Sequence, residues 1–253
     1  MDVGLFVPLG NGNANAEVVR AVGREAEDRG FESIWVPEHV VLFDDYASEY
    51  PYDDSGRFPG GADSGMLEPL GALTFLAGVT DRIRLGTAIC LVPQRNPVYT
   101  AKAVTDLDNL SGGRVDFGVG IGWLREEFEA VAMPFEQRGA RADEHLAVMR
   151  SLWCDEVSEF HGAHYDLPAC RMYPKPVQAP HPPIGVAGLS KGSDTLKLAG
   201  ERGFIPMSLN LNPAYVGSHW ESVEAGAAKT GRKPSRADWR LVREVFVADT
   251  DEE

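Results

Sequence analysis

Segments with the two-residue period of a β-strand alternate with segments of helical period along almost the whole chain, and this alternation limits the possible folds most strongly. Strands that alternate with helices pair in parallel through β-α-β units, so the sequence predicts an α/β fold. The order of the elements does not distinguish an open doubly wound sheet from a barrel. The strand-like segments are 3–8, 31–36, 83–92, 115–119, 183–188, 204–209 and 241–248. The segments of helical period are 16–29, 70–79, 97–110, 124–131, 139–153, 193–202 and 215–230.

Two stretches interrupt the alternation. Residues 39–68 are rich in Tyr, Asp, Gly and Pro, which predicts a long loop. Residues 156–182 contain FHGAHYDLP, the pattern of a small hairpin, and then many prolines, so we predict an insertion outside the main repeat. Seven strand–helix units are visible, one fewer than the eight of a closed barrel.

Composition excludes several classes of protein. The formal net charge is −14 and Lys and Arg are not clustered, so we expect no nucleic-acid binding, which depends on clustered cations. Three isolated cysteines, Cys90, Cys154 and Cys170, indicate a reducing compartment and no disulfide framework. The N-terminus lacks the pattern of a signal peptide, and no run of 18 apolar residues is present to span a membrane. We therefore expect a cytoplasmic protein that does not bind membranes.

Residues 82–127 carry an ordered series of short motifs: RIRLGT in a strand, NP at a helix start, LSGGR before the next strand and GVGIGW after it. The segments ESIWVPEHV at 32–40 and VREVFVADTDEE at 242–253 extend this pattern. In this order and spacing, the chain resembles the luciferase-like monooxygenase family of flavin- and deazaflavin-dependent oxidoreductases. The resemblance implies a single α/β domain, 1–253, of the (β/α)8 TIM-barrel type, with an insertion near 156–182 and without the last strand–helix unit. It also implies an enzyme that acts on a small-molecule substrate, and a homodimer.

The family uses two kinds of cofactor. One branch uses reduced FMN and oxygen to oxygenate a substrate, whereas the other uses the deazaflavin coenzyme F-420 to transfer hydride. The front half of the chain, with WVPEHVVL and SGRFPGG, resembles the F-420-dependent members, and the back half, with GSDTLKLAG and SLNLNPAYVGSHW, resembles the FMN-dependent oxygenases. We predict coenzyme F-420 as the cofactor, with an FMN-dependent monooxygenase as the alternative. A non-catalytic cofactor-binding fragment is a third hypothesis, because the last barrel unit is lacking.

His39 is the candidate catalytic residue. It follows the second predicted strand, at the edge where the strand ends of barrel enzymes carry the chemistry. An imidazole gains and loses a proton near neutral pH, which suits a general acid. The resemblance implies that this histidine lies against the cofactor ring, and an exposed loop histidine is the alternative.

Three short segments are the candidate cofactor-binding residues. The first ends the third strand, where the resemblance implies a cis peptide bond, Ala88–Ile89, that bulges against the ring. Alternating glycines in the second would let a flat ring approach the backbone. The third precedes a helix whose first N–H groups would bind the cofactor phosphate. Ordinary packing or a surface loop is the alternative for each. The residues are Gly86, Thr87, Ala88 and Ile89; Gly118, Gly120 and Gly122; and Gly188, Leu189, Ser190 and Lys191.

Several other polar residues are assigned no role in the chemistry. His161 and His164 lie close in sequence, but no set of carboxylates and histidines at ligand spacing accompanies them, so no metal is expected. Glu126, Glu127 and Glu129 are predicted to lie on a solvent-exposed helix face.

Overall fold

Strands and helices alternate in the structure much as the sequence predicts. A computed structural model describes residues 2–53, 55–209, 212–243, 245 and 250. The chain divides into two units, 1–184 and 185–253. The strands of the first unit are β1 (Gly4–Phe6), β2 (Ser33–Val36), β3 (Arg84–Thr87), β4 (Cys90–Leu91), β5 (Val115–Gly120), β6 (Ser158–His161) and β7 (Asp166–Cys170). Its helices are α1 (Ala16–Asp28), α2 (Pro69–Ala77), α3 (Pro97–Ser111), α4 (Arg125–Ala130) and α5 (Arg138–Cys154).

The first unit is built on a parallel sheet. β1 pairs with β2, β2 with β3 and β3 with β5, and the short β4 also pairs with β5. Trp35 lies opposite Gly86, and Val36 lies opposite Thr87, so β2 and β3 end at the same edge of the sheet. Parallel strands joined by helices confirm the predicted α/β class.

Apolar side chains of the strands and helices form the core of this unit. Ile34, Leu85 and Phe117, in three neighbouring strands, are completely buried, as are Leu73 in α2 and Leu107 in α3. A fully buried side chain of this kind contributes roughly 1.5–3 kcal/mol relative to its exposed state. This layer fixes the strands and therefore also the residues that follow their C-terminal ends.

The third predicted strand is shorter than the sequence suggests. The apolar segment 83–92 forms β3 and β4, and the peptide bond between Ala88 and Ile89, which separates them, is cis. The apolar pattern does not reveal this break, because Thr87 and Ala88 before it and Cys90 and Leu91 after it are all buried.

Helix ends follow from the local sequence. The side chains of Asn15 and Asn96 accept hydrogen bonds from the first backbone N–H groups of α1 and α3. Pro97 occupies the first position of α3, where the missing N–H costs nothing. Gly112 ends α3 with φ of 69°, a left-handed conformation that glycine adopts readily. Within the described residues, no helix combines the length and apolar character needed to cross a lipid bilayer.

The predicted hairpin within 156–182 is present. β6 and β7 pair in antiparallel orientation, with Phe160 opposite Leu167. Glu144 of α5 accepts hydrogen bonds from the backbone N–H groups of residues 163–165 in the turn. The insertion is therefore attached to α5.

The second unit repeats the alternation of strands and helices. Its elements are β8 (Ile184–Gly188), α6 (Asp194–Arg202), β9 (Ile205–Ser208), α7 (Val216–Thr230) and β10 (Arg240–Leu241). β8 pairs with β9, and β9 with β10, in parallel. The strand predicted over 241–248 begins with β10, and its residues 244 and 246–248 lie outside the described residues.

Helices α6 and α7 approach each other so closely that two positions require glycine. A Cβ atom at Gly200 would lie 1.9 Å from the carbonyl oxygen of Val223, and one at Gly226 would lie 1.8 Å from the carbonyl oxygen of Lys197. Both obstacles are backbone atoms, which cannot rotate away. The contact between these helices therefore depends on the absence of two side chains.

We expect Gly226→Ala to lower the free energy of unfolding by about 1–3 kcal/mol, the usual cost of overpacking. Gly217→Ala, in the same helix, is the matched control, because a Cβ atom there meets nothing within 4 Å. Alanine at 217 should instead stabilise α7, by up to about 1 kcal/mol. Urea unfolding of the three proteins measures both effects, and equal stability of the two variants would contradict the close approach of the helices.

Candidate active site

Three of the predicted segments follow strands of the same parallel sheet. His39 comes shortly after β2, the Ala88–Ile89 bond follows β3, and Gly122 follows β5. Because parallel strands end at one edge of a sheet, these segments lie along the same edge. This is the edge at which α/β enzymes carry their chemistry.

His39 is enclosed by a carboxylate and two aromatic rings. Its side chain is 11% exposed, and its Nδ1 atom lies 3.3 Å from Oε2 of Glu127. The rings of Phe58 and Trp123 meet it edge to face, at centroid distances of 5.4 and 6.0 Å. The described residues form no hydrogen bond with its Nε2 atom. His39 is therefore not an exposed loop histidine.

Glu38 anchors the chain just before His39. Its buried carboxylate accepts a hydrogen bond from the backbone N–H of Leu91 and pairs with Arg95. The guanidinium of Arg95 also pairs with Glu68, at 2.5 Å. A buried carboxylate is stable only with such partners. These bonds connect the end of β2 to the segment after β4.

Glu127 is buried, so the prediction that it lies on a solvent-exposed face of α4 is wrong. Its side chain is completely buried: Oε1 accepts the backbone N–H of Val40 at 2.6 Å, and Oε2 accepts Nε2 of Gln94 at 2.9 Å. Position 127 lies three residues after the buried Leu124 and next to the buried Phe128, on the inner face of the helix. That spacing could have identified it, although its hydrogen-bond donors come from distant parts of the chain.

Glu126 also departs from the prediction, whereas Glu129 is exposed as expected. Glu126 accepts hydrogen bonds from the backbone N–H groups of Ala47 and Ser48 and from the Ser48 hydroxyl. Burial alone would raise the pKa of Glu126, but these hydrogen bonds outweigh burial and lower the pKa. Glu126 therefore fastens the loop that contains Ser48 to α4.

Aromatic side chains of this loop cover the region around His39. Tyr46 and Tyr50 pack edge to face against Trp123, with centroids 5.7 and 5.1 Å apart. Tyr50 also meets Phe58, the ring that contacts His39. An open pocket of about 630 Å³ is lined by Ala47, Ser48, Glu49, Tyr50, Pro51, Asp53, Ser55, Gly56 and Arg57.

The Ala88–Ile89 peptide bond is cis, as the resemblance implies. Ile89 lies over Gly120, since a Cβ atom at Gly120 would be 1.7 Å from Cδ1 of Ile89. Gly86 faces the ring of Trp35, which a Cβ atom would approach to 2.2 Å. Packing within the protein therefore explains why glycine occupies positions 86 and 120.

The other residues of the first two segments hold the backbone in place. The buried Thr87 donates its hydroxyl to the carbonyl oxygen of Gly118 at 2.6 Å. Gly122 has φ of 75°, and its carbonyl oxygen accepts Nε of Arg138 at 3.0 Å. A side chain at 122 would also meet Phe128 at 2.9 Å. The chain between β5 and α4 is thus fixed by its own contacts.

The third segment, 188–191, lies in the second unit between β8 and α6. A Cβ atom at Gly188 would lie 2.4 Å from the side chain of Leu196, so packing explains this glycine too. Ser193 caps α6, because its hydroxyl accepts the backbone N–H of Leu196. Ser190 and Lys191 are exposed. The segment thus presents a hydroxyl and an ammonium group just before a capped helix.

His219 supports this segment, and the sequence interpretation did not identify it. It is 1% exposed, and its Nε2 lies 3.1 Å from the carbonyl oxygen of Ser190. A carbonyl oxygen only accepts, so Nε2 carries a proton, and in the neutral ring Nδ1 accepts from the Ser208 hydroxyl at 2.9 Å. The indication available in the sequence was its place next to Trp220 within the predicted helix 215–230.

Two buried polar atoms near His39 lack hydrogen-bond partners among the described residues: Oε1 of Gln94 and Nε1 of Trp123. Buried polar groups are seldom left unpaired. Flavins and deazaflavins carry both N–H and carbonyl groups, which are the two kinds of partner that these atoms lack. In the described part of the chain, no cluster of three or more His, Cys, Asp or Glu side chains is placed to hold a metal ion.

Comparisons with known proteins agree with this architecture. A family model described as luciferase-like monooxygenase matches residues 1–253. An uncharacterized protein of Mycobacterium tuberculosis is 36% identical over 173 residues, which cover 68% of this chain and 61% of that protein. The chain thus spans less than two thirds of the length of this relative.

Two solved structures share the fold at low sequence identity. The oxygenating constituent of 3,6-diketocamphane monooxygenase from Pseudomonas putida, in complex with FMN, has a TM-score of 0.82 and 22% identity and covers 100% of this chain and 69% of its own. The coenzyme F420-dependent tetrahydromethanopterin reductase from Methanopyrus kandleri has a TM-score of 0.72 and 21% identity, with coverages of 96% and 65%. These similarities confirm the predicted TIM-barrel type of α/β fold.

Proposed function

Because the chain belongs to the luciferase-like monooxygenase family, we propose that it is an oxidoreductase that uses coenzyme F-420 for hydride transfer to or from a small organic substrate. The observation that carries the proposal is the contact between the enclosed His39 and the buried Glu127, beside the sheet edge where β2 and β3 end. Hydride transfer to a carbonyl carbon requires a proton at the oxygen, and an enclosed imidazole supplies one.

The residues at this edge suit a flavin-type ring. Such a ring, when bound, supplies or accepts the hydride. The backbone at Ala88–Ile89 and along 118–122 would hold the ring, and Gln94 and Trp123 would satisfy its polar groups. Segment 188–191 and the N-terminus of α6 would bind a phosphate, through backbone N–H groups and the charge of Lys191. Each of these roles is part of the proposal.

His39 performs the proton transfer in the proposed reaction. Its Nε2 atom gives a proton to the substrate oxygen in reduction and takes one in oxidation, while Nδ1 stays bonded to Glu127. Phe58 and Trp123 restrict access of water to the imidazole ring of His39. Arg95 holds Glu38, the residue directly before His39, so the imidazole keeps its place during turnover.

We expect the protein to bind F-420 more tightly than FMN, because the front half, which resembles F-420-dependent members, supplies most of the strand ends that would contact the ring. Fluorescence titrations of both cofactors give the two dissociation constants. The dissociation constants of the His39→Ala variant serve as a control, because this variant lacks the proposed proton donor and should still bind the cofactor. Tenfold tighter binding of FMN, a difference of about 1.4 kcal/mol, would refute the assignment of F-420.

An FMN-dependent monooxygenase is the second candidate, and the back half of the sequence favours it. Segments at 192–200 and 208–220 resemble FMN-dependent oxygenases. Solved structures of this fold include both an FMN complex and an F420-dependent reductase, so the fold itself does not discriminate. Adding each reduced cofactor with and without oxygen separates the candidates, because only the oxygenase requires oxygen for turnover.

We further propose a homodimer located in the cytoplasm. Cys90, Cys154 and Cys170 are all free thiols in the structure, which suits a reducing compartment. The family resemblance is the only ground for proposing a dimer. Sedimentation equilibrium of the purified protein measures its oligomeric state directly.

A further inference from the structure

Three polar groups, two of them hydrogen-bond donors, converge on the buried carboxylate of Glu127. Oε1 accepts the backbone N–H of Val40, and Oε2 accepts Nε2 of Gln94. The third contact joins Oε2 to Nδ1 of His39, 3.3 Å away. Glu127 is 0% exposed, so water does not replace any of these partners.

An ionised carboxylate only accepts hydrogen bonds, and this fixes the state of the imidazole. Nδ1 of His39 must carry a hydrogen atom to bond Oε2 of Glu127. In the neutral ring, Nε2 is then the unprotonated nitrogen. The amide of Gln94 is fixed in the same way, because its oxygen would repel the carboxylate, and its Oε1 atom is left unpartnered.

We propose that Glu127 is a positioning residue that holds His39 in the Nδ1–H tautomer, so that Nε2 is the atom that exchanges a proton with the substrate. The inference rests on the proposed function, in which His39 is the proton donor. When Nε2 takes up a proton, the charge of the ring is balanced by the adjacent buried carboxylate. A carboxylate that accepts the Nδ1–H of an imidazole both orients the ring and stabilises its protonated form.

These contacts predict that Glu127→Gln, which keeps the size and shape of the side chain, changes the tautomer of His39. The backbone N–H of Val40 still requires an oxygen, so the new amide turns its NH₂ group towards Gln94 and His39. Gln94 can rotate to present its unpartnered Oε1 atom. Nδ1 of His39 must then accept a hydrogen bond, which shifts the proton to Nε2.

Nitrogen NMR of the protein labelled at its histidine rings tests this, because protonated and unprotonated ring nitrogens resonate far apart. Spectra are recorded towards high pH until the ring signals stop changing, and His39→Ala assigns the His39 signals. We expect the Nδ1–H form in the wild-type protein and the Nε2–H form in Glu127→Gln. Glu129→Gln, an exposed glutamate of the same helix, should leave the wild-type form unchanged.

An Nε2–H ring in the wild-type protein would overturn the proposal, and so would an unchanged tautomer in Glu127→Gln. The wild-type spectrum alone decides the point if the variant fails to fold. Glu127→Asp, which restores a carboxylate, should recover a measurable share of the Nδ1–H form.

Turnover provides the second measurement. Glu127→Gln should lower the turnover rate at least about tenfold, and by no more than the 10²–10⁴-fold that loss of a general acid causes. Turnover at the wild-type rate with an inverted tautomer would overturn the link between Glu127 and the chemistry. A wild-type protein that turns over with neither cofactor would refute the proposed function instead, and the NMR result would still decide the tautomer.

Discussion

Replacing His39 by alanine is expected to lower the turnover rate by about 10²–10⁴-fold while leaving the affinity for the cofactor nearly unchanged. A proton donor acts mainly in the transition state, so its loss reduces the catalytic rate more than binding. The structure strengthens this expectation, because His39 is enclosed by Phe58 and Trp123 and bonded to a buried carboxylate. Water would have little access to replace the missing imidazole.

Steady-state kinetics with the preferred cofactor, together with fluorescence titration, separates the two effects. His164→Ala is the matched control, because only the backbone N–H of His164 is bonded to Glu144 in the hairpin turn, and that bond survives the substitution. Turnover of His39→Ala at the parental rate would remove His39 from the mechanism. Loss of cofactor affinity in equal proportion would indicate that the imidazole contributes to binding rather than to proton transfer.

The sequence predicted those parts of the fold that depend on neighbours along the chain. Alternating periods located the strands and helices, and Asn96-Pro97 marked the start of α3. The break between β3 and β4 was not predicted from the apolar pattern, because residues on both sides of the bend are buried. Only the family resemblance implied the cis bond at Ala88–Ile89, which the structure contains.

The candidate site was predictable where its residues follow strand ends, and less so where partners are distant in sequence. His39 was identified from its place after β2. Glu127 was assigned to solvent, because the donors that make its burial possible, Val40 and Gln94, lie 87 and 33 residues away in the chain. His219 was missed for the same reason, since its bond to Ser190 spans 29 residues.

Another buried histidine contributes to the pH dependence of the protein's stability. His145 of α5 is 0% exposed, meets Tyr165 edge to face at 5.8 Å, and has no hydrogen-bond partner at either ring nitrogen among the described residues. Burial, with a smaller effect from the charge of Arg95, lowers its pKa from 6.5 to about 3. The folded protein therefore keeps this ring neutral at pH values where the unfolded chain protonates it.

We expect this difference to destabilise the protein as the pH falls. Below pH 6.5 the unfolded state takes up a proton at His145 and the folded state does not, so each further pH unit lowers the free energy of unfolding by about 1.4 kcal/mol until about pH 3. Between pH 7 and pH 5 the loss from this group is about 2 kcal/mol. Above about pH 8 its contribution no longer changes with pH.

Urea unfolding of the wild-type protein and His145→Gln at several pH values isolates the effect, because glutamine does not titrate. The variant should lose less stability than the wild type between pH 7 and pH 5. His161→Gln provides a control of opposite sign: His161 is exposed, and hydrogen bonds to Asp166 and Glu159 raise its pKa. Its stabilising contribution is therefore present at low pH and lost as the pH rises, so removing it should make the acid-induced loss slightly steeper. Parallel pH profiles for the wild type and His145→Gln would contradict the lowered pKa, because they would show that His145 takes up its proton over the same pH range in the folded and unfolded protein.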